Sequence, residues 1–274
     1  MVRSDYHYQA SELIFLKLGG SLITDKVSPH TPRPTTLARL AQEIAAGLAE
    51  RPHLGLLLGH GSGSFGHVPA GKYATRQGVH TPQEWLGFAE VWREAAELNR
   101  LVMAALHAAG LPAVAFPPSG AVTARDGAVY AWDLFPLRSA LKAGLLPVVY
   151  GDVVFDEQRG GSILSTEDLF MHLARALRPR RMLLAGLEPG VWADYPACTR
   201  LVDEISPVNY PQLQASLGAS AATDVTGGMA SKVAQMLALA EELPGLEVLI
   251  FSAEQPGVLQ RVLSGENSGT VMHA

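Results

Sequence analysis

The sequence predicts an α/β fold in which a mostly parallel sheet is covered by helices on both faces. Three observations carry that prediction. Short apolar runs without a 3.6-residue rhythm recur along the chain, amphipathic helical stretches separate them, and glycine-rich turns stand where the runs stop. The 274 residues are enough for a substantial core. No repeat, low-complexity tract or flexible linker interrupts them, so the chain reads as one continuous domain.

Leu13 to Leu18 is the first buried strand, ending at Gly19-Gly20-Ser21 with Lys17 inside it. An ammonium in such a run needs an anion or a dense set of acceptors. Two glycines let backbone N–H groups approach a bound anion closely. A phosphate site and a lysine that merely snorkels to water beside an ordinary turn both stand at this point. Leu22 to Pro34, with Thr24, Asp25, Lys26, His30 and Arg33, is too polar for a core element and reads as a ligand-facing loop. Thr36 is expected to cap a helix with Leu37, Leu40, Ala41, Ile44 and Leu48 on its apolar face.

Leu54 to Leu58 is the second buried strand, and it runs into the densest glycine cluster, Gly59 to His67. Glu84 to His107 is a long helix with apolar residues at helical spacing. Pro112 to Phe116 reads as a strand, Ala121 to Trp132 as a hairpin turning at Asp126-Gly127, and Asp133 to Lys142 as a helix closed by Gly144. Leu146 to Tyr150 is a strand opening into Gly151-Asp152, and Val153 to Leu164 a second hairpin. Thr166 is expected to cap the following helix, with Glu167 and Asp168 favouring its macrodipole. Met182 to Leu187 is a strand, Gly190 to Asn209 mostly loop, Met229 to Leu243 a helix and Glu247 to Phe251 a final strand.

Composition excludes several function classes. Twenty-one basic against 26 acidic residues give a net charge of −5, with no basic block, which argues against nucleic acid as a partner. Cys198 is the single cysteine, so no intrachain disulfide forms. No His pair has metal spacing, and zinc is not expected. The first residues lack an apolar signal core and no run is long enough to span a bilayer, so a cytoplasmic protein is expected.

The chemistry lies in the glycine turns. Walker A is absent, and Gly61-Ser62-Gly63-Ser64-Phe65-Gly66 matches a dinucleotide fingerprint only literally, because Glu84 at a helix onset is a poor ribose partner. The cluster fits better as a second anion nest facing Gly19-Gly20, with His67 at its edge able to hydrogen-bond a phosphate oxygen. For His60 a structural contact at the strand end is the better reading. Asp224 to Met229 is a third glycine turn opening a helix, and Lys232 in its first turn is unfavourable beside the dipole unless an anion lies near.

KLGGSLITDK (residues 17–26), HGSGSFGH (60–67), YGDVVFD (150–156), LSTED (164–168) and DVTGGMASK (224–232) follow the order found in the amino acid kinase superfamily. Within it the set most closely resembles the isopentenyl phosphate kinases, from about Leu13 to the C-terminus. The resemblance implies an open αβα sandwich, with residues 1–178 as acceptor-binding lobe and 179–274 as nucleotide-binding lobe. It implies transfer of the γ-phosphate of ATP, with Mg²⁺, to isopentenyl phosphate. It places Lys17 and Lys26 on the transferring phosphates, and Lys232 with Gly228 on the nucleotide phosphates. Gly19, Gly20 and Gly63 would shelter the transferring group, Ser62, His67 and Thr166 would meet the acceptor phosphate, and Asp152 would orient the lysines. Phe88 and Val91, with Ile163, align with the wall facing the isoprenoid tail, although an apolar helix stripe is ordinarily core. A homodimer is also implied.

The chain departs from the pattern in places. Ser62 stands where the family often has glycine, and Thr166-Glu167 replaces Gly-Asp. The usual Thr-Asp-x-Asp-Gly nucleotide segment is represented by residues 185–190, with Gly186 the candidate contact. A related kinase acting on another phosphate or phosphonate, such as fosfomycin, and a non-catalytic nucleotide or oxyanion sensor are the competing readings.

Overall fold

Two apolar runs, β1 (Glu12–Leu18) and β2 (Leu54–His60), lie side by side in parallel register at the centre of the sheet. The computed structural model describes residues 12–25, 27–217 and 228–274. Between and after these strands come α1 (Gly20–Ile23), α2 (Pro34–Glu50), α3 (His67–Tyr73), α4 (Pro82–Ala108) and β3 (Ala113–Ala115). The middle of the chain holds β4 (Val122–Arg125), β5 (Ala128–Trp132), α5 (Phe135–Lys142), β6 (Leu146–Tyr150), β7 (Asp152–Asp156), β8 (Gly160–Leu164) and α6 (Thr166–Leu177). Then follow β9 (Arg181–Gly186), β10 (Val191–Trp192), β11 (Leu201–Val202), β12 (Glu204–Ile205), α7 (Tyr210–Leu217), α8 (Gly228–Glu242), β13 (Glu247–Ser252), α9 (Val258–Leu263) and β14 (Thr270–Met272).

The main sheet has the order β12-β14-β13-β9-β1-β2-β6-β3. From β13 to β3 every pairing is parallel, and β14 turns antiparallel against β13. A second sheet, β5-β4-β7-β8, contains both expected hairpins. Two cores cover the main sheet, as strand alternation requires. Ile14, Leu16 and Leu18 face α2, α4 and α9, whereas Phe15 faces α6 and α8.

Some boundaries differ from expectation. The helix expected to start at Thr36 starts at Pro34, whose fixed φ suits the first helical position, so Thr36 lies inside it. Ser165, not Thr166, caps α6, because Asp168 stands three residues on and completes a capping box with it. Glu84 belongs to a capping box at α4: its carboxylate accepts from the N–H groups of His80 and Thr81, at 2.7 and 2.8 Å. The segment from Gly190 to Asn209 contains three two-residue strands, of which β10 and β11 pair with each other and β12 joins the main sheet through β14.

Candidate active site

Parallel strands bring their carboxyl ends to one edge, and this edge collects the glycine turns. Leu18 pairs with His60 and with Ala185, and His60 pairs with Tyr150. Gly19-Gly20, Gly61 to Gly66, Gly151-Asp152 and Gly186 therefore leave the sheet side by side. The first two turns pack backbone to backbone: a Cβ on Gly20 would lie 2.4 Å from Gly63 N. Gly63 is itself left-handed, at φ 52°, and a Cβ there would strike the Thr24 hydroxyl oxygen. The two nests face one another as expected. Gly19 departs from its expected part, since its N–H donates to Ala185 O at 2.8 Å and serves the sheet.

Lys17 is placed by alternation. It lies two residues beyond Phe15, hence on the same face of β1, and Phe15 packs on Phe170 of α6 with ring centroids 5.1 Å apart. Glu167 precedes Phe170 by three residues, one helical turn toward the amino end, and so reaches the lysine. Its Oε1 lies 3.0 Å from Lys17 Nζ and 4.0 Å from Lys232 Nζ. Burial opposes ionisation of Glu167, but the two ammonium groups outweigh it and hold the carboxyl below its ordinary value. Both ammonium groups thus lie within 4.0 Å of one carboxylate oxygen.

Among the described residues Asp152 forms no ion pair with Lys17, and Lys26, another lysine it was expected to orient, lies outside them. Its Oδ2 accepts from Ser119 N–H at 3.2 Å and its Oδ1 from Val153 N–H at 2.8 Å, which fixes the turn at Pro118–Gly120. Burial pushes its carboxyl up to about 6. Sequence reasoning gave the lysine-orienting part to Asp152 and treated Glu167 as a dipole complement. No local pattern links Glu167 to Lys17, because the pairing depends on Phe170 docking on Phe15 from a distant part of the chain. The buried Thr166 hydroxyl donates to His60 O at 2.6 Å, which leaves its main-chain N–H, not its side chain, for an anion. His60 has the structural contact expected of it: Nε2 meets Asn99 Oδ1 at 3.2 Å and the ring stacks on Tyr150.

Ser62 lies within the second nest, its carbonyl accepting from Phe65 N–H at 3.1 Å. His67 opens α3 directly after that turn; its side chain lies outside the described residues. Lys26 and Asp224 to Gly227 also lie outside them. Gly228, at φ 64°, opens α8 and carries Lys232 toward Glu167. Phe88, Val91 and Ile163 come together with Val79 and Val153 in one apolar cluster, between α4 and the β7–β8 hairpin. Among the described residues no group of three or more His, Cys, Asp or Glu could cage a metal ion.

The profile of the amino acid kinase family matches residues 12–252. The chain belongs to the amino acid kinase family. Within that family it is 38% identical over 265 residues to the isopentenyl phosphate kinase of Methanothermobacter thermautotrophicus, covering 93% of this chain and 96% of the relative. It is 31% identical to the isopentenyl phosphate kinase of Methanocaldococcus jannaschii, covering 94% and 97%. A solved isopentenyl phosphate kinase structure superposes with a TM-score of 0.79 at 35% identity, over 95% of this chain and 100% of that one. The mostly parallel α/β sheet read from the alternation of elements is observed, and the fold is the amino acid kinase fold that the resemblance implied. Among the described residues no helix is long and apolar enough to cross a membrane.

Proposed function

We propose that this chain transfers the γ-phosphate of ATP to isopentenyl phosphate, giving isopentenyl diphosphate. The observation that carries the reading is the carboxylate of Glu167, whose Oε1 lies 3.0 Å from Lys17 Nζ and 4.0 Å from Lys232 Nζ and so brings two cations together beside the glycine turns. A transferring phosphoryl group spreads negative charge over its oxygens, and such a site answers that charge before the reaction begins. The nucleophile is a phosphate oxygen that is already anionic, so the site needs alignment and charge more than a strong base.

Lys17 and Lys26 would meet the transferring phosphoryl group, sheltered by Gly20 and Gly63. Lys232, Gly228 and Gly186 would hold the nucleotide in the 179–274 lobe. Ser62, His67 and the Thr166 N–H would hold the acceptor phosphate in the 1–178 lobe, with the tail against Phe88, Val91 and Ile163. Mg²⁺ bound to ATP would neutralise the nucleotide phosphates. A cytoplasmic homodimer completes the proposal.

A coupled ADP-release assay with Mg-ATP tests it against isopentenyl phosphate, dimethylallyl phosphate, fosfomycin and glutamate. Turnover confined to the isoprenoid monophosphates is expected. Turnover with fosfomycin or glutamate alone would move the chain to another branch of the family. ATP binding with no turnover on any acceptor would leave a sensor.

A further inference from the structure

The buried face of α4 that carries Phe88 and Val91 continues into Glu94, which is only 3% exposed. Its Oε1 lies 2.9 Å from His30 Nε2, while its Oε2 is buried with no hydrogen-bond partner among the described residues. Burial pushes the carboxyl up against the pull of the His30 ring. A buried carboxylate with one oxygen unanswered is a cost to the fold that an apolar side chain would not incur. Nor does α4 need it for docking, because Leu98, Val102 and Leu106 already pack in the main core.

His30 is tied down at both ends. Its backbone is left-handed, at φ 51°, a conformation a non-glycine residue holds only where its surroundings impose it. Its N–H donates to Ser64 O at 3.3 Å, and the neighbouring Thr31 N–H donates to Ser64 Oγ at 3.3 Å. Ser64 N–H in turn donates to the Thr24 hydroxyl at 2.9 Å, which donates to Gly20 O at 2.8 Å. The imidazole ring packs edge-on against Phe65, with centroids 5.3 Å apart. One residue thus joins the 27–33 segment, both glycine nests and α4.

We propose that Glu94, acting through His30, is a positioning residue for the acceptor. The pair sets the distance between the phosphate nests and the apolar slot on α4, and an acceptor with a charged head and an apolar tail must satisfy both ends at once. The proposal rests on the kinase reading above.

The test compares Glu94→Leu, Glu94→Gln and His30→Ala with wild type, by steady-state kinetics with Mg-ATP and isopentenyl phosphate and by thermal melting. Glu94→Leu is expected to raise the KM for isopentenyl phosphate by about tenfold while leaving the KM for ATP and kcat within about twofold. Its melting temperature should not fall. Glu94→Gln keeps an acceptor for the ring N–H and should restore most of the loss. His30→Ala, in a partly exposed segment, should reproduce the KM effect, and the double variant should be no worse than either single one. Wild-type KM in both Glu94→Leu and His30→Ala would overturn the proposal. A parallel loss of kcat, both KM values and melting temperature would make the role structural and overturn it too. If Glu94→Leu does not fold, His30→Ala decides alone. A wild type silent on isopentenyl phosphate fails the kinase reading and this proposal with it, whereas an active wild type with unaffected variants fails the positioning proposal alone.

Discussion

Arg181 and Lys17 lie on neighbouring strands of one sheet, 7% and 8% exposed, and carry the same charge. Their surroundings differ. Arg181, at the amino end of β9, donates from Nε to Glu247 at 2.7 Å, from Nη1 to Val262 O at 3.2 Å and from Nη2 to Asn267 at 2.5 Å. It lines a cleft of about 490 Å³ with Arg51 and Arg180. There Arg51 is answered by Leu263 O at 2.8 Å and Glu12 at 2.5 Å. Lys17, at the carboxyl end of β1, is met among the described residues by the carboxylate of Glu167, whose Oε1 also lies 4.0 Å from Lys232. A buried cation answered from several sides holds the fold together; under the proposed function the cation at the glycine turns instead serves an anion. The contrast sets a structural charge against a proposed functional one.

The largest expected effect is on Lys17. Lys17→Ala should lower kcat by about a thousandfold, the scale of losing a preorganised charge at a transition state. Its melting temperature should stay near that of wild type, because Lys232 still answers Glu167. Undiminished turnover would break the comparison. Glu167→Gln removes the shared charge while keeping the shape, and misplaced lysines should cost about a hundredfold in kcat. Glu167→Asp, one methylene shorter, should lose less.

Arg181→Leu should behave in the opposite way. Three acceptors lose their donor, so stability should fall by about 2 kcal/mol, discounted for the partial exposure of Glu247, with kcat/KM unchanged. A kinetic loss without a shift in chemical denaturation would abolish the distinction.

Asp152 supplies an effect confined to a pH window, and the clearest sign. Its carboxyl is raised by burial from 3.8 to about 6, so the folded state binds this proton more tightly than the unfolded one. Stability therefore falls as pH rises through that window, and the loss is complete above it. Asp152→Asn removes the slope, and the variant should gain on wild type by about 2 kcal/mol between pH of about 4 and about 7, read from melts at each pH. A constant difference across that range would remove Asp152 from the account.

Much of this was legible in the chain itself. The apolar runs and helical periodicities specify strands and helices locally, and a lysine in an apolar run next to paired glycines marks a candidate anion site, with a lysine snorkelling to water as the equal alternative until the later motifs are read. The Ser165 cap was also legible, since Asp168 follows it at capping-box spacing, but the adjacent Thr166 is an equally good cap by type. The pairing of Glu167 with Lys17 was not. It depends on Phe170 docking on Phe15, a contact between distant segments that sets which way the start of α6 points. The same holds for Glu94 and His30, which no local pattern links. The sequence by itself determined the elements, their alternation and the residue types gathered at the glycine turns, because these follow from short-range sterics and periodicity. Only the tertiary structure decided which carboxylate serves which cation, because that depends on how a helix sits on a strand from another part of the chain.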